Sequence, residues 1–232
     1  MTRTRTRIRT RMPFAVALAA AALLLAACAP AGPASAPETG GGAVTDPNAP
    51  LAAFYGDSST LGTGASDPEV RWSSVICRDR GWREFNPSVN GLGFVNNRRP
   101  DVDLPSLVIA QDPDIVFVTM GLNDNFSYAV AADDIHDAID ADLHRLKDEL
   151  PDARFIVVEP FWYTDERPES LAVIIGWVHD TADAIGVDWV PEASHWIEGH
   201  PEWMAADGLH PNDDGYAEMA RQMDAALTGL GL

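Results

Sequence analysis

Ile115-Val116-Phe117-Val118-Thr119-Met120-Gly121-Leu122-Asn123-Asp124 passes from β-branched and aromatic residues straight into a polar turn. A continuous run of this kind reads as a strand covered on both faces, the pattern of a buried parallel sheet. On its N-terminal side, Leu51–Tyr55 is a short apolar run that stops at Gly56, and Glu84–Val89 reads as a further short strand. On its C-terminal side, Arg154–Glu159 is a buried strand ended by Pro160, and Asp188–Val190 is a brief one. Between them, Ile135, Ile139, Leu143, Leu146 and Leu150 recur at helical spacing until Pro151. Leu171, Ile174, Ile175, Val178, Ala182 and Ile185 form a second stripe closed by Gly186. Pro68 opens a helix predicted to reach about Arg80, and Pro211 sits near the start of a last one carrying Tyr216, Met219 and Met223. Strands alternating with helices predict an α/β domain: a three-layer α/β/α sandwich with a mostly parallel central sheet. No internal repeat and no second domain is visible, so residues 51–232 are read as one domain.

The residues before it have a different character. Met1–Arg11 carries five arginines, and Phe14–Ala27 is an apolar run rich in alanine and leucine. That is the layout of a secretory signal, too short for a membrane span. Leu25-Ala26-Ala27-Cys28 matches the lipobox of bacterial lipoproteins, which makes residues 1–28 the signal and Cys28 the lipid-attachment site. The expected location is extracytoplasmic and anchored to the cell membrane through that lipid alone, with free secretion as the alternative. Residues 29–50 are rich in Ala, Pro, Gly, Ser and Thr and read as a flexible linker, since they have little to bury against the entropy of ordering.

The formal net charge of −19 includes those five arginines, so the remaining chain stands near −24. Beyond Arg98-Arg99 there is no basic cluster, which argues against nucleic acid as a partner. Cys77 is the sole cysteine after Cys28; it reads as a buried structural thiol, and no internal disulfide is expected. Nothing in the chain fixes an oligomeric state.

Three polar segments hold the chemistry: Gly56-Asp57-Ser58-Ser59, Gly121-Leu122-Asn123-Asp124 and Asp207-Gly208-Leu209-His210. They supply a hydroxyl, an amide side chain, a carboxylate and an imidazole, the inventory for acyl transfer through a serine nucleophile. Ser58 and Asn123 follow predicted strands by a few residues, where ligands of parallel α/β sheets bind. Neutral His210 can take the proton of Ser58 and return it to the leaving alkoxide. Asp207, three residues earlier, can hold the imidazole tautomer and stabilise the imidazolium.

These segments resemble the SGNH hydrolases, the superfamily of the GDSL lipases and esterases, over essentially residues 51–232. Gly56-Asp57-Ser58-Ser59 is similar to the first block, with Ser59 where leucine is commoner. Asn86-Pro87-Ser88-Val89-Asn90-Gly91 matches the second block, Gly121-Leu122-Asn123-Asp124 the third and Asp207-Gly208-Leu209-His210 the last. The resemblance implies an SGNH/flavodoxin-like sandwich with Ser58, Asp207 and His210 catalytic. It also implies an oxyanion hole from the Ser58 amide, the Gly91 amide and the Asn123 side chain, with Gly93 the rival to Gly91. Neither a metal nor an organic cofactor is implied. The substrate would be a carboxylic ester: a short acyl group on a glycan or small alcohol, or a lipid ester, with a cell-envelope glycan or lipid as the expected partner. Thr60 breaks the Gly-x-Ser-x-Gly pattern of the α/β-hydrolase elbow.

Two other readings stay open. One is an inactive domain of the same fold that binds glycan or lipid. The other is a metal-dependent hydrolase built on His195, His200, Asp207 and His210, although their spacing fits no helix-borne metal motif. His136, His144 and His179 lie among aspartates in helical stretches and read as solvated faces. Trp72 and Trp177 read as core. Trp162, after Glu159-Pro160-Phe161, is placed to stack on a sugar or to line an acyl pocket, and Trp196, Trp203 and Met204 to wall the site beside His210.

Overall fold

In a computed structural model, which describes residues 44–232, Ala52 and Phe54 pack to one side of the first strand and Ala53 and Tyr55 to the other. Every residue of that strand, β1 (Leu51–Gly56), is buried. It pairs in parallel with β2 (Arg83–Phe85) on one side and β3 (Ile115–Thr119) on the other. Then β4 (Arg154–Val158) and β5 (Asp188–Val190) extend the sheet, giving the order β2-β1-β3-β4-β5 with all neighbours parallel. The uninterrupted apolar runs exist because both faces are covered.

One face carries α2 (Trp72–Arg80) and α6 (Asp213–Gly229), whose Trp72, Ile76, Tyr216 and Met223 pack on Phe54, Phe117 and Ile156. The other carries α3 (Leu104–Ile109), α4 (Tyr128–Glu149) and α5 (Glu169–Ala184), whose stripes pack on Tyr55, Val116, Val118 and Val157. The three-layer α/β/α sandwich is therefore as predicted. Cys77 and Trp72 are core residues, and Trp177 is partly buried against the other layer.

Two local expectations are corrected, and one helix is added. The helix predicted from Pro68 is divided: Pro68–Val70 is a single 3₁₀ turn, Arg71 is extended, and α2 begins at Trp72. The break lets the Arg71 guanidinium turn inward, where it donates to Leu61 O at 2.9 Å and Ser74 Oγ at 3.0 Å and faces Glu84 at 3.4 Å. The strand predicted over Glu84–Val89 ends at Phe85. Pro87 has no N–H for a ladder, and Asn86 turns its amide to Thr60 O at 2.8 Å and Ser73 Oγ at 3.0 Å. Helix α3 has no counterpart in the sequence reading; Asp103 caps it at Ser106 N, but its six residues are too few to show a period. The proposed signal, Cys28 and most of the linker lie outside the described residues. Among the described residues no helix is long and apolar enough to cross a membrane.

Candidate active site

Strand order reverses between β1 and β3, and in such sheets the crevice for a ligand opens there, beyond the carboxyl ends. The β1 end leads through Asp57 into α1 (Ser58–Leu61), a single turn with Ser58 as its first residue. The β3 end leads into the Asn123–Phe126 turn. Both predicted residues thus flank the switch point.

The third segment is brought to the same edge by the loop after α1. Tyr216 donates to Thr63 O at 2.8 Å, and Asp213 accepts from Ser66 N and Oγ at 2.8 and 2.6 Å. Gly64, at φ +96°, lies so close that a Cβ there would stand 2.5 Å from Pro211 O and 3.1 Å from His210 Cβ. Only glycine allows this approach of the Ser58 segment to the His210 segment.

Within the last segment the carboxylate of Asp207 is fully engaged. Oδ1 accepts from Leu209 N at 2.9 Å and His210 N at 3.0 Å, and Oδ2 lies 2.8 Å from His210 Nδ1. The imidazole contact above all, with the two amides, pulls the Asp207 pKa down to about 2. Nδ1 being committed to Asp207, Nε2 is the nitrogen left for a proton acceptor's work. His210 is drawn in while Asp207 stands half in solvent. Ser58 Oγ and His210 Nε2 make no hydrogen bond to each other or to any other described residue. In ligand-free enzymes such contacts often tighten only once substrate is bound.

The donors sort themselves by what they already bind. Gly93 N donates to Asn96 O at 2.8 Å, and a Cβ at Gly93 would meet Asp124 Oδ1 and Oδ2 at 2.5 Å. Gly93 is therefore a packing glycine. Asp124 is completely buried and accepts from Phe94 N, Val95 N and Asn96 N at 2.7–3.0 Å, so it orders this loop. The amides of Gly91 and Ser58 donate to no described residue and are available to a ligand oxygen. Asn123 Nδ2 lies 3.1 Å from Asp57 Oδ2 and 3.0 Å from Leu92 O. To serve an oxyanion it must exchange one of these acceptors.

Asp57 is the residue that sequence reasoning passed over. Its side chain accepts from Ser59 N at 2.9 Å and from Asn123, so one carboxyl group joins the Ser58 turn to the Asn123 turn. Burial, with Asp124 nearby, raises its pKa to about 7. Its position just before a helix turn, as an N-cap, was the available signal.

Other expected residues fall outside this centre. His195 pairs with Glu198 at 2.6 Å and His200 with Glu202 at 2.8 Å, both at the surface. Among the described residues no three His, Cys, Asp or Glu side chains converge as metal ligands would. His136, His144 and His179 are exposed on helices. Trp162 is buried rather than presented as a platform; its Nε1 donates to Thr164 Oγ1 and Glu166 O at 2.9 and 2.8 Å. Trp162 and Trp196 line an apolar crevice beside Ser59, Leu122 and Leu209, whereas Trp203 stacks on His200 at 3.6 Å.

The sheet order and the polar loops gathered at its switch point define an SGNH-type hydrolase fold. The chain belongs to the GDSL-like lipase/acylhydrolase family, whose model matches residues 54–218. Over 90 residues it is 36% identical to the GDSL lipase Rv0518 of Mycobacterium tuberculosis, a match spanning 38% of this chain and 37% of that protein. Among solved structures, TesA superposes with a TM-score of 0.64 at 20% identity, covering 78% of this chain and 99% of that one. The esterase EstA from Pseudoalteromonas sp. gives 0.63 at 16% identity, covering 78% and 97%. A family two carbohydrate esterase from Cellvibrio japonicus gives 0.60 at 16% identity, covering 78% and 62%. At these identities the structural likeness is one of fold. Family membership carries esterase-type hydrolysis in general; the substrate and the residues that act on it are a separate matter.

Proposed function

We propose that this domain is a serine esterase that cleaves carboxylic esters through an acyl-Ser58 intermediate. His210 Nε2 takes the Ser58 proton as Oγ attacks the carbonyl carbon, and the tetrahedral intermediate collapses with that proton passed to the departing alcohol. Water then repeats the sequence on the acyl-enzyme and releases the acid. The Ser58 and Gly91 amides, joined by Asn123, would receive the negative oxygen. The observation that carries this reading is the Asp207–His210 pair, held on the same sheet edge as Ser58 and two unengaged amides. Asn123→Ala tests it: kcat for 4-nitrophenyl acetate should fall about 10²–10³-fold with a small change in KM, as for loss of one oxyanion donor. An unchanged kcat rejects the assignment.

A membrane-surface setting through Cys28 belongs to the same proposal, supported by the lipobox sequence. Cys28→Ser in the full chain should move the protein from the membrane fraction to the soluble one. Retention on membranes would speak against lipid anchoring at that residue.

A further inference from the structure

The turn that carries Ser58 is too short to hold its own shape. Helix α1 has four residues, and a single turn fixes many dihedrals for very few internal bonds. Its four carbonyls are the orphans that a helix end leaves, and each is met from outside α1. Ser58 O accepts from Gly62 N and Thr63 N, both at 3.0 Å. Ser59 O accepts from Trp72 Nε1 at 3.1 Å. Thr60 O accepts from Asn86 Nδ2 at 2.8 Å and, farther off, from Ser73 Oγ at 3.4 Å. Leu61 O accepts from Arg71 Nη1 at 2.9 Å. Three consecutive residues, Arg71-Trp72-Ser73, thus serve three consecutive carbonyls behind the nucleophile.

The two larger donors are themselves fixed. The Trp72 indole is wholly buried and meets the rings of Phe54, Phe117 and Phe161 edge to face, at 5.5, 6.0 and 5.9 Å. Phe54 and Phe117 belong to β1 and β3, so the sheet sets the direction of Nε1. Arg71 is 1% exposed, and a Cβ on Gly62 would stand 2.7 Å from Arg71 Cβ, so its stem packs on the end of the turn. Its Nε donates to Ser74 Oγ at 3.0 Å, while Nη2 faces Glu84 at 3.4 Å without completing a hydrogen bond. A buried cation paired this loosely is a poor source of stability, and an apolar side chain of similar volume often does as well or better. What an apolar chain lacks is a donor for Leu61 O.

We propose that Arg71 and Trp72 are positioning residues for the nucleophile. Their donors hold α1 so that Ser58 Oγ meets the substrate carbonyl carbon and the Ser58 amide its oxygen. Neither side chain touches the reacting atoms. The inference rests on the serine-esterase reading and adds to it two residues that lie outside all four sequence blocks. Loosening the turn costs attack geometry rather than substrate affinity, and a misplacement of about 1 Å is enough to cost about 10²-fold in rate.

The test compares three variants with the parent, by 4-nitrophenyl acetate turnover and fluorophosphonate labelling of Ser58, each below its own melting temperature. Trp72→Phe keeps a buried aromatic ring and loses the donor to Ser59 O. Arg71→Met combined with Glu84→Gln loses the donor to Leu61 O and leaves no buried charge unpaired. Arg80→Met is the control, since Arg80 ends the same helix and bonds to Asp224 and Thr228 of α6 rather than to α1. Counted per labelled site, kcat should fall about tenfold in Trp72→Phe and about 10²-fold in the Arg71/Glu84 pair, with KM within about twofold. The rate constant for labelling Ser58 should fall in step. Arg80→Met should keep kcat per site within about twofold of the parent. A donor variant whose melt drops while kcat per site and labelling rate stay unchanged removes its residue from the role, and an equal loss in Arg80→Met overturns the proposal. Ser58→Ala separates the two levels. If it is inactive while the donor variants keep full kcat per site, the serine chemistry stands and the positioning role falls; if it remains active, the underlying reading falls as well.

Discussion

Ser58→Ala is expected to lower kcat for 4-nitrophenyl acetate by at least about 10⁴-fold, the scale seen when a nucleophile of a coupled triad is removed. The loss should be chemical rather than structural. Ser58 Oγ bonds to no described residue, so its deletion orphans no donor or acceptor. The turn keeps its cap through Asp57 and Ser59 N, and its carbonyl still accepts from Gly62 N and Thr63 N at 3.0 Å. Stability should therefore stay within about 1 kcal/mol of the parent. Steady-state rates with a thermal melt of both proteins check the two halves together. Turnover within tenfold of the parent would remove Ser58 from the reaction. A collapse of the melt would show the loss to be one of folding.

Asp57 leads to the second large effect, on stability against pH. Its carboxyl ordinarily titrates near 3.8, and burial holds it near 7 in the folded protein. Between those values the native state keeps a proton that the unfolded chain has released. Stability from this group is thus complete below about pH 4 and is lost as pH rises through 7. The difference of roughly three pH units corresponds to about 4 kcal/mol. Asp57→Asn has no such titration, and the other carboxylates largely cancel in the comparison. Urea unfolding at pH 4, 5, 6, 7 and 8 should show the parent losing ground to the variant by about that amount. The carboxamide of the variant still presents an oxygen to Ser59 N, so the slope is the diagnostic quantity and the absolute level is not. Parallel profiles for the two proteins would contradict the burial-driven shift. The same buried group joins the Ser58 and Asn123 turns, so a fold that keeps it uncharged up to neutrality accepts that cost where the site is assembled.

The strands were legible because a sheet covered on both faces leaves continuous apolar runs, and Ile115–Thr119 and Arg154–Val158 fall where those runs lie. The long helices were legible from their stripes. Ser58, Asn123, Asp207 and His210 could be picked out because their chemistry stands in short polar segments at strand ends. What escaped is set by contacts distant in sequence. Nothing near Arg71 announces that its side chain will turn inward to Leu61 O and Glu84, yet that contact ends one turn and starts α2. That Gly93 is a packing glycine with an engaged amide depends on where Asp124 sits, about thirty residues on, and on which amide Asn96 O takes. From its neighbours Trp162 can be either a stacking platform or the wall of a pocket; its burial, beside Trp196 from the loop after β5 in the lining of one crevice, makes it a wall.

The esterase reading stands or falls with the hydroxyl of Ser58 as nucleophile. Incubation of the protein with a fluorophosphonate, followed by peptide mass spectrometry, reads this directly. One adduct, on Ser58, should form as activity is lost, and none should form there in His210→Ala over the same time. Full loss of activity with Ser58 unmodified, or an unlabelled Ser58 in a protein that still turns over ester, would contradict it.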